Sequence, residues 1–370
     1  MKKTSLVFLL LGLALTISAQ NANDVLATAQ CANNYFMAKY DDPTRPTFVK
    51  KVRPSSLWTR GVYSEGLMAL YNIDPQRKYI DYATRWADFH EWTPRNGVKT
   101  TDADDQCCGQ TYMMLAKGDK AKLAKVLENL DNQMSTGRHD YWTWIDAIQM
   151  AMPLYAQAYM LTGNRQYMDY AMQSYRWTRN ECGGGLYNKV SGFWWRDKDF
   201  VPPYQESDGQ PCYWSRGDGW VYAALVRVMQ TIGKKDKYYK ELKRDFLAMS
   251  QAFASCQRED GFWNCSLVSP VTYGGKETTG TSLFLYGMSW GLRNGLLKEK
   301  QYRPIVDRAW KALQNECVHA DGFLGYVQGT GKEPKDSQPV TYTRVPDFED
   351  FGLGCFLLGA SEYYQLVSRK

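Results

Sequence analysis

Hydrophobic and polar positions recur along the chain with the spacing of helices, and few runs alternate as strands do. Six segments begin with polar residues or glycine and then become small and apolar almost all round. They are residues 61–71, 104–114, 146–155, 217–225, 279–287 and 351–360. Because a helix that is apolar on every side has to be buried, the pattern predicts six interior helices.

Amphipathic stretches with a charged face lie between these segments. They are residues 23–40, 79–92, 120–134, 165–179, 235–256 and 301–317. A helix with one charged stripe can face solvent, so each stretch pairs naturally with a buried neighbour. The repeat therefore predicts an all-α fold, a closed toroid of six helical hairpins called an (α/α)6 barrel. An irregular all-α domain and an open solenoid remain alternatives.

The first 19 residues have the layout of a secretory signal peptide. Lys2 and Lys3 give a positive start, residues 6–15 are almost wholly apolar, and residues 17–19 offer a small-residue cleavage site. The apolar run is shorter than the roughly 20 residues of a membrane-spanning helix, although an uncleaved amphipathic anchor is an alternative. We expect a periplasmic or secreted mature chain, residues 20–370, that forms one barrel domain.

Composition excludes several classes of function. The net charge of +6 is spread along the chain, without the basic block typical of nucleic-acid binding. Nine cysteines, an odd number with wide spacing, argue against a disulfide framework, although a Cys256–Cys265 pair remains open. With three histidines and no C-x-x-C pair, we predict neither a metal site nor a cofactor. The 13 Trp and 26 Tyr suit stacking on sugar rings, but large cores also use such residues.

The hairpin arrangement predicts where chemistry takes place. If every inner helix begins at the same end of the toroid, the polar residues before the helix starts line one mouth. Unpaired N–H groups and positive dipole ends favour an anionic ligand there. The candidate residues are 104–105, 144–146, 214–220, 278–282 and 347–350. The chain lacks a Gly-x-Ser-x-Gly elbow and phosphate-binding glycine patterns, which leaves carboxylates, arginine and aromatics, the groups used in glycoside hydrolysis.

The first candidate constellation is Tyr141-Trp-Thr-Trp-Ile-Asp-Ala147, in which Asp146 follows two tryptophans at a helix start. A carboxyl enclosed by indole rings loses hydration, so we expect its pKa to rise and the group to hold a proton near neutral pH. A helix N-cap is the structural alternative for Asp146.

The second constellation is Tyr213-Trp-Ser-Arg-Gly-Asp-Gly-Trp220. Trp214 and Trp220 offer stacking faces, and Arg216 offers a planar fork that fits a carboxylate. Glycines on both sides of Asp218 let the backbone approach a ligand. A tight turn between helices, with the arginine paired to an internal acid, is the alternative.

The third constellation is the acidic run that contains Asp102, Asp104 and Asp105. Such runs are usually solvated loops or helix caps. Since this run precedes an inner helix, one of its carboxyls can enter the mouth and act on Asp146 as a like charge. The Asp-Gly pairs at 260–261 and 321–322 are typical of turns.

Four strings together resemble a known family. They are Trp-Ile-Asp-Ala around Asp146, Trp-Ser-Arg-Gly-Asp-Gly-Trp at 214–220, Glu-Thr-Thr-Gly-Thr-Ser at 277–282 and Glu-Asp-Phe-Gly at 349–352. The chain resembles family 105 glycoside hydrolases, the unsaturated rhamnogalacturonyl hydrolases, which are related to the family 88 unsaturated glucuronyl hydrolases. The similarity extends over residues 58–365 and implies an (α/α)6 barrel, in agreement with the periodicity.

The resemblance also implies an activity. Such an enzyme removes a 4,5-unsaturated uronic acid from the non-reducing end of lyase-generated pectin oligosaccharides, by hydrating the C4=C5 enol ether. By motif, Asp146 would be the acid/base and Asp104 the second acid, with Asp105 as an adjacent competitor. The uronate pocket would comprise Trp144, Trp214, Arg216 and Trp220, with Arg216 facing the carboxylate.

The sequence departs from the family in two places. Asp218 stands where the family often has Asn. Residues 192–197 lack the His of some members, and Arg196 would replace it as a cation. Both departures concern substrate preference more than reaction type.

Other functions could use part of the same residue set. An unsaturated glucuronyl hydrolase acting on ulvan-type or glycosaminoglycan-type chains is the nearest alternative. Sugar epimerisation typically uses histidine, and the three histidines lie away from the inner helix starts. A non-catalytic protein that binds acidic glycans would keep the aromatics and Arg216 without needing Asp146. Both a monomer and a homodimer are compatible with the sequence, and no membrane contact is expected after signal cleavage.

Overall fold

The computed structural model describes the backbone of residues 4–48 and 52–369, and the side chains of residues 22–47 and 52–369. The predicted signal peptide, residues 1–19, lies outside the residues whose side chains are described, so it stays a prediction. Over the described ranges, none of the helices combines the length and the apolar character needed to cross a bilayer.

Six helical units form the inner wall of a barrel. They are α2 (Trp58–Ile73), the short α4 (Ala103–Gln106) with α5 (Cys108–Ala116), α7 (Asp146–Thr162), α9 (Ser215–Ile232), α12 (Thr278–Arg293) and α14 (Asp350–Val367). Each unit packs against the next along the chain, and α14 packs against α2. The ring is therefore closed, which confirms the predicted (α/α)6 barrel.

Six outer helices cover this ring. They are α1 (Thr4–Lys39), α3 (Arg77–Phe89), α6 (Ala124–Ser135), α8 (Gln166–Asn180), α10 (Tyr239–Ser255) and α13 (Glu299–Ala312), which continues as a π-turn at Leu313–Cys317. Helix α3 buries Tyr79, Tyr82, Ala83, Trp86 and Ala87, the spacing of a single apolar stripe. Over the residues whose side chains are described, the outer helices are thus half-exposed, as their patterns predicted.

Short elements complete the chain. A 3-10 turn spans Cys182–Gly184, α11 spans Pro270–Tyr273, and β1 (Thr47–Phe48) pairs antiparallel with β2 (Val52–Arg53). All nine cysteines lie in the described ranges and are free thiols.

Small residues let the inner helices approach closely. A Cβ added to Gly66 of α2 would lie 2.4 Å from the carbonyl oxygen of Gly354 in α14, far inside van der Waals contact. The apolar segments at 61–71 and 351–360 contain glycine because the backbones of α2 and α14 meet at this point.

One outer helix separates each pair of consecutive inner helices, so all the inner helices run in the same direction. Their amino-terminal ends, with the loops that precede them, form one mouth of the barrel. Their carboxyl-terminal ends meet at the opposite mouth. The predicted site residues other than Arg196 lie at the amino-terminal end because they stand at or just before helix starts, and Arg196 comes from the loop between α8 and α9.

Candidate active site

Asp146 is the first residue of α7, and a loop from residues 186–200 lies against it. Trp144 forms an antiparallel bridge with Asp197, and the Ile145 N–H donates to the Arg196 carbonyl at 2.9 Å. This pairing places the Arg196 side chain over the start of α7. Its Nε donates to Asp146 Oδ2 at 3.2 Å and its Nη1 donates to Asp197 Oδ2 at 2.7 Å.

The Arg196 contact gives Asp146 an ionic partner within a nearly buried site. Asp146 is 8% exposed, and its carboxylate lies 3.2 Å from Arg196 Nε in an ion pair. The N-cap position of α7 is Ile145, and no side chain caps this helix end. The capping alternative for Asp146 is therefore not what the structure shows.

Asp104 lies on the neighbouring unit, because α4 packs against α7. Burial and the negative charges of Asp102 and Asp146 together raise the pKa of Asp104 to about 8, although the charge of Arg196 opposes the shift. A carboxyl with this pKa is largely protonated at neutral pH. The mouth thus holds a neutral carboxyl on α4 and an arginine-paired carboxyl on α7.

Asp105 has a different environment although it is adjacent in sequence. Arg95 donates to its Oδ1 at 3.1 Å, while Asn96 and Thr100 donate to its Oδ2 at 2.9 and 2.7 Å. Both oxygens are engaged within the loop that precedes α4. These contacts favour an anchoring role for Asp105, which fixes Asp104, over the predicted role beside the substrate.

The 214–220 string is enclosed within the barrel wall. Trp214, Arg216 and Trp220 are each at most 1% exposed. Arg216 Nη1 and Nη2 donate to the carbonyls of Gln328 and Gly329 at 2.7 and 2.8 Å. Its guanidinium also lies 4.4 Å from the Trp214 ring centroid.

The structure therefore does not place these side chains in the exposed wall of the mouth, where the sequence predicted a uronate pocket. The physical reason is the segment after residue 327. Trp214 Nε1 donates to Gln328 Oε1 at 2.8 Å, and Arg216 holds the backbone beside it. Burial lowers the pKa of the Arg216 guanidinium, while the negative charges of Glu277 and Asp146 act against that shift.

Asp218 is fully buried and connects α9 to the loop that carries Arg196. The Trp194 N–H donates to its Oδ1 at 2.9 Å, and burial raises the pKa of Asp218 well above its ordinary value. A protonated aspartate has nearly the shape of asparagine. The departure from the family's Asn therefore preserves the local geometry.

Trp58 is a mouth residue that the sequence analysis missed. It is the first residue of α2 and half-buried; its ring centroid lies 6.3 Å from that of Trp220 and 5.3 Å from that of Phe351. The apolar pattern predicts the interior segment from residue 61, three positions after the observed start of α2. A tryptophan placed just before an inner helix is the same pattern that drew attention to Trp144, which is also half-buried.

The remaining mouth candidates have structural partners. Asp350 is buried, and Thr59 and Arg60 donate to its Oδ2 at 3.2 and 3.4 Å. Glu277 caps α12 by accepting from the backbone N–H groups of Thr279 and Gly280. In the described part of the chain, no group of three or more His, Cys, Asp or Glu side chains is arranged to hold a metal ion.

Comparison with protein families gives a match over most of the chain. The model for Glycosyl Hydrolase Family 88 matches residues 28–367. An unsaturated 3S-rhamnoglycuronyl hydrolase of Formosa agariphila is 28% identical over 331 residues, which cover 84% of each chain.

Solved structures show the same similarity. A family 88 glycosyl hydrolase of Bacteroides vulgatus has a TM-score of 0.83 and 32% identity, covering 93% of this chain and 99% of its own. A family 105 glycoside hydrolase of C. acetobutylicum has a TM-score of 0.70 at 22% identity, covering 91% and 99%. The second similarity concerns the fold.

Proposed function

The chain belongs to glycosyl hydrolase family 88 and is a glycoside hydrolase, and on this premise we propose that it removes a 4,5-unsaturated uronic acid from oligosaccharides left by polysaccharide lyases. The resemblance to families 105 and 88 found in the sequence is confirmed. One observation carries the proposal: a neutral Asp104 and an arginine-paired Asp146 occupy the same mouth.

Two carboxyls in unlike environments can divide the roles of acid and base. In the free enzyme the proton resides on Asp104, whose pKa is about 8, and Asp146 forms an ion pair with Arg196. The uronate of the substrate is an anion, and a guanidinium binds a carboxylate through charge-assisted hydrogen bonds. We propose that the substrate carboxylate engages Arg196, so that Asp146 leaves its ion pair and takes up the proton that the two aspartates share.

Protonated Asp146 then delivers its proton to C4 of the double bond. A water molecule adds at C5 and gives its proton to the Asp146 carboxylate, so the proton count of the enzyme is unchanged. The product is a hemiketal at C5, which opens and releases the neighbouring sugar. Trp144 and Trp58, the half-buried tryptophans of the mouth, provide stacking faces for the apolar side of the sugar ring.

The proposal also concerns which uronic acid is removed and which sugar it is attached to. The family 105 resemblance favours a rhamnogalacturonan-type pectin fragment, with unsaturated galacturonic acid attached to rhamnose. A second candidate is unsaturated glucuronic acid attached to rhamnose, and the name of the Formosa agariphila relative, a rhamnoglycuronyl hydrolase, favours it. Arg196 and the aspartates act on the uronic acid in either substrate.

Parallel hydrolysis of the two unsaturated disaccharides tests both levels of the proposal. The enol ether absorbs ultraviolet light and its hydration removes the absorbance, so we expect a decrease with at least one substrate. The faster substrate identifies the preferred uronic acid. If neither absorbance changes while a saturated glycoside is cleaved, the hydration mechanism is wrong.

We also propose that the enzyme works in the periplasm or outside the cell after removal of residues 1–19. The layout of the first residues supports this placement. Mass spectrometry of the protein from periplasmic and culture fractions should show a chain that starts near Gln20. A full-length chain found in the cytoplasm alone would contradict it.

A further inference from the structure

A cavity of about 610 Å³ lies at the carboxyl-terminal mouth of the barrel, opposite the aspartates. Its wall comes from the later turns of the inner helices. Its polar lining side chains include Glu65, Arg227, Tyr286, Arg293, Ser361 and Glu362. The cavity falls within the roughly 300–1,000 Å³ of small-molecule sites, and the hydrolysis proposed above makes no use of it.

The charges in this wall balance. Arg227 forms an ion pair with the fully buried Glu65, and Arg293 forms one with Glu362. Gln149 Nε2 also donates to Glu65 at 3.0 Å. Two arginines and two glutamates leave no net charge, so an anion that approaches either arginine also meets a carboxylate. The wall therefore favours a neutral ligand.

Unused hydrogen-bonding groups also lie in the wall. Ser361 is 2% exposed, and its Oγ has no hydrogen-bond partner among the described residues. Within the same part of the chain, the buried Oε1 of Gln157, which also lines the cavity, lacks a partner. Both atoms have almost no accessible surface. Because buried polar groups are normally paired, a rotation of either side chain into the cavity would let a polar occupant supply the missing hydrogen bond.

We infer that this cavity is a second carbohydrate site that binds a neutral, monosaccharide-sized sugar. Sugar hydroxyls can donate to Gln157 Oε1 and to the glutamates, and they can accept from the N–H groups of Arg227 and Arg293. Tyr286 and Tyr364 also line the wall, and their rings suit the apolar C–H face of a sugar. A chain that releases sugars would then carry a separate site for a neutral sugar on its far side.

The test fills the cavity without touching either ion pair. Ala69 is a half-buried alanine of α2 that lines the cavity, so Ala69→Phe should occupy the space. Ala254 is a half-buried alanine of the outer helix α10, and Ala254→Phe is the matched control. Saturation-transfer NMR with L-rhamnose and D-galactose measures binding, with D-glucuronate as an anionic probe.

For the wild type and Ala254→Phe we expect a neutral sugar to bind with a Kd of about 1 mM. Ala69→Phe should bind it at least about tenfold more weakly, while turnover of the unsaturated disaccharide stays within about twofold of the wild type. Unchanged turnover also separates this site from the proposed active site, since sugar binding at the aspartates would survive the substitution.

Gln157→Leu provides a second variant in case Ala69→Phe unfolds. It removes the unpaired acceptor at nearly constant side-chain volume. Loss of a hydrogen bond of about 1 kcal/mol should weaken sugar binding about fivefold. Equal binding by wild type, Gln157→Leu and any folded Ala69→Phe would overturn the inference. So would a wild type that binds neither neutral sugar, or one that binds D-glucuronate as tightly as the neutral sugars.

Discussion

Two inner helices of the barrel begin with tryptophan-rich strings, and the structure gives those strings opposite environments. At the start of α7, Trp144 is half-buried and Asp146 pairs with an arginine from a separate loop. At the start of α9, Trp214 and Arg216 are fully buried in the barrel wall. Both strings contain the residue types of a uronate site, but only the first presents them to the mouth.

The difference comes from the segment that covers the α9 string. Gln328 Nε2 donates to the backbone carbonyls of Glu333, Pro334 and Asp336, while its Oε1 accepts from Trp214. Arg216 then fixes the carbonyls of residues 328 and 329. A specific motif can thus indicate the family because it holds a loop, whereas the carboxyl proposed to react lies in the less distinctive string.

Replacement of Asp146 by Asn should give the largest effect. The amide has the shape of the carboxyl but cannot transfer its proton, so we expect turnover to fall by about 10³-fold, within the range for loss of a general acid/base. Loss of the enol-ether absorbance measures the rate, and thermal unfolding serves as the control for the fold. Turnover near the wild-type value would remove Asp146 from the mechanism.

Arg216→Met should instead affect the fold. The substitution leaves two buried carbonyls without donors, so the free energy of unfolding should drop by about 3 kcal/mol. Denaturant unfolding measures the free energy of unfolding, and steady-state kinetics measures the KM of the same variant for the unsaturated disaccharide. An unchanged free energy of unfolding with a greatly raised KM would show that Arg216 contacts the substrate, as the resemblance implied.

The pH dependence of turnover should show whether catalysis requires the proton on Asp104. The pKa of about 8 means that catalysis requiring this proton declines above pH 8, by about tenfold per pH unit. Asp104→Asn should lower the rate and abolish this alkaline decline. A wild-type profile that stays flat to pH 10 would show that the pair does not share a proton as proposed.

The same group affects stability with a defined sign. The pKa of Asp104 is raised in the folded state, so the folded chain binds the proton more tightly than the unfolded chain does. Its contribution to stability is therefore fully present below about pH 4 and is lost as the pH rises through about 8. Thermal unfolding of the wild type and Asp104→Asn across that window measures the difference.

Trp144→Ala should have a smaller effect, on binding. Loss of one stacking face costs about 1 kcal/mol, which corresponds to about a fivefold rise in KM, and the free energy of unfolding should stay nearly constant because the ring is only half-buried. Steady-state kinetics measures KM, and denaturant unfolding measures the free energy of unfolding. A large loss of stability with unchanged KM would place Trp144 with the structural tryptophans of the α9 string.

Asp218→Asn should have the smallest effect on turnover, because asparagine reproduces the shape of the protonated carboxyl. The variant should be about as stable as the wild type near pH 4. Above that pH the wild type must take up a proton on folding and the variant does not, so the variant should become more stable than the wild type by about 1.4 kcal/mol per pH unit up to pH 7. Thermal unfolding at both pH values checks this, and a pronounced loss of stability at pH 7 would mean that Asp218 is ionised.

The architecture was determined locally by the sequence. The six all-round apolar segments and the six amphipathic stretches each depend on residues a few positions apart, and a helix responds to such neighbours. The alternation of the two patterns favoured a closed ring, and the contact between α14 and α2 decided it over an open solenoid. The position of Asp146 at an inner helix start followed from the same periodicity.

Tertiary structure decided what each polar residue does. Arg196 reaches Asp146 across 50 positions, and residues 328 and 329 cover Arg216 from more than 100 positions away. The proton lies on Asp104 because burial and the charges of other segments act on it together. Desolvation and charge interactions depend on distances in space, and a local pattern does not contain those distances.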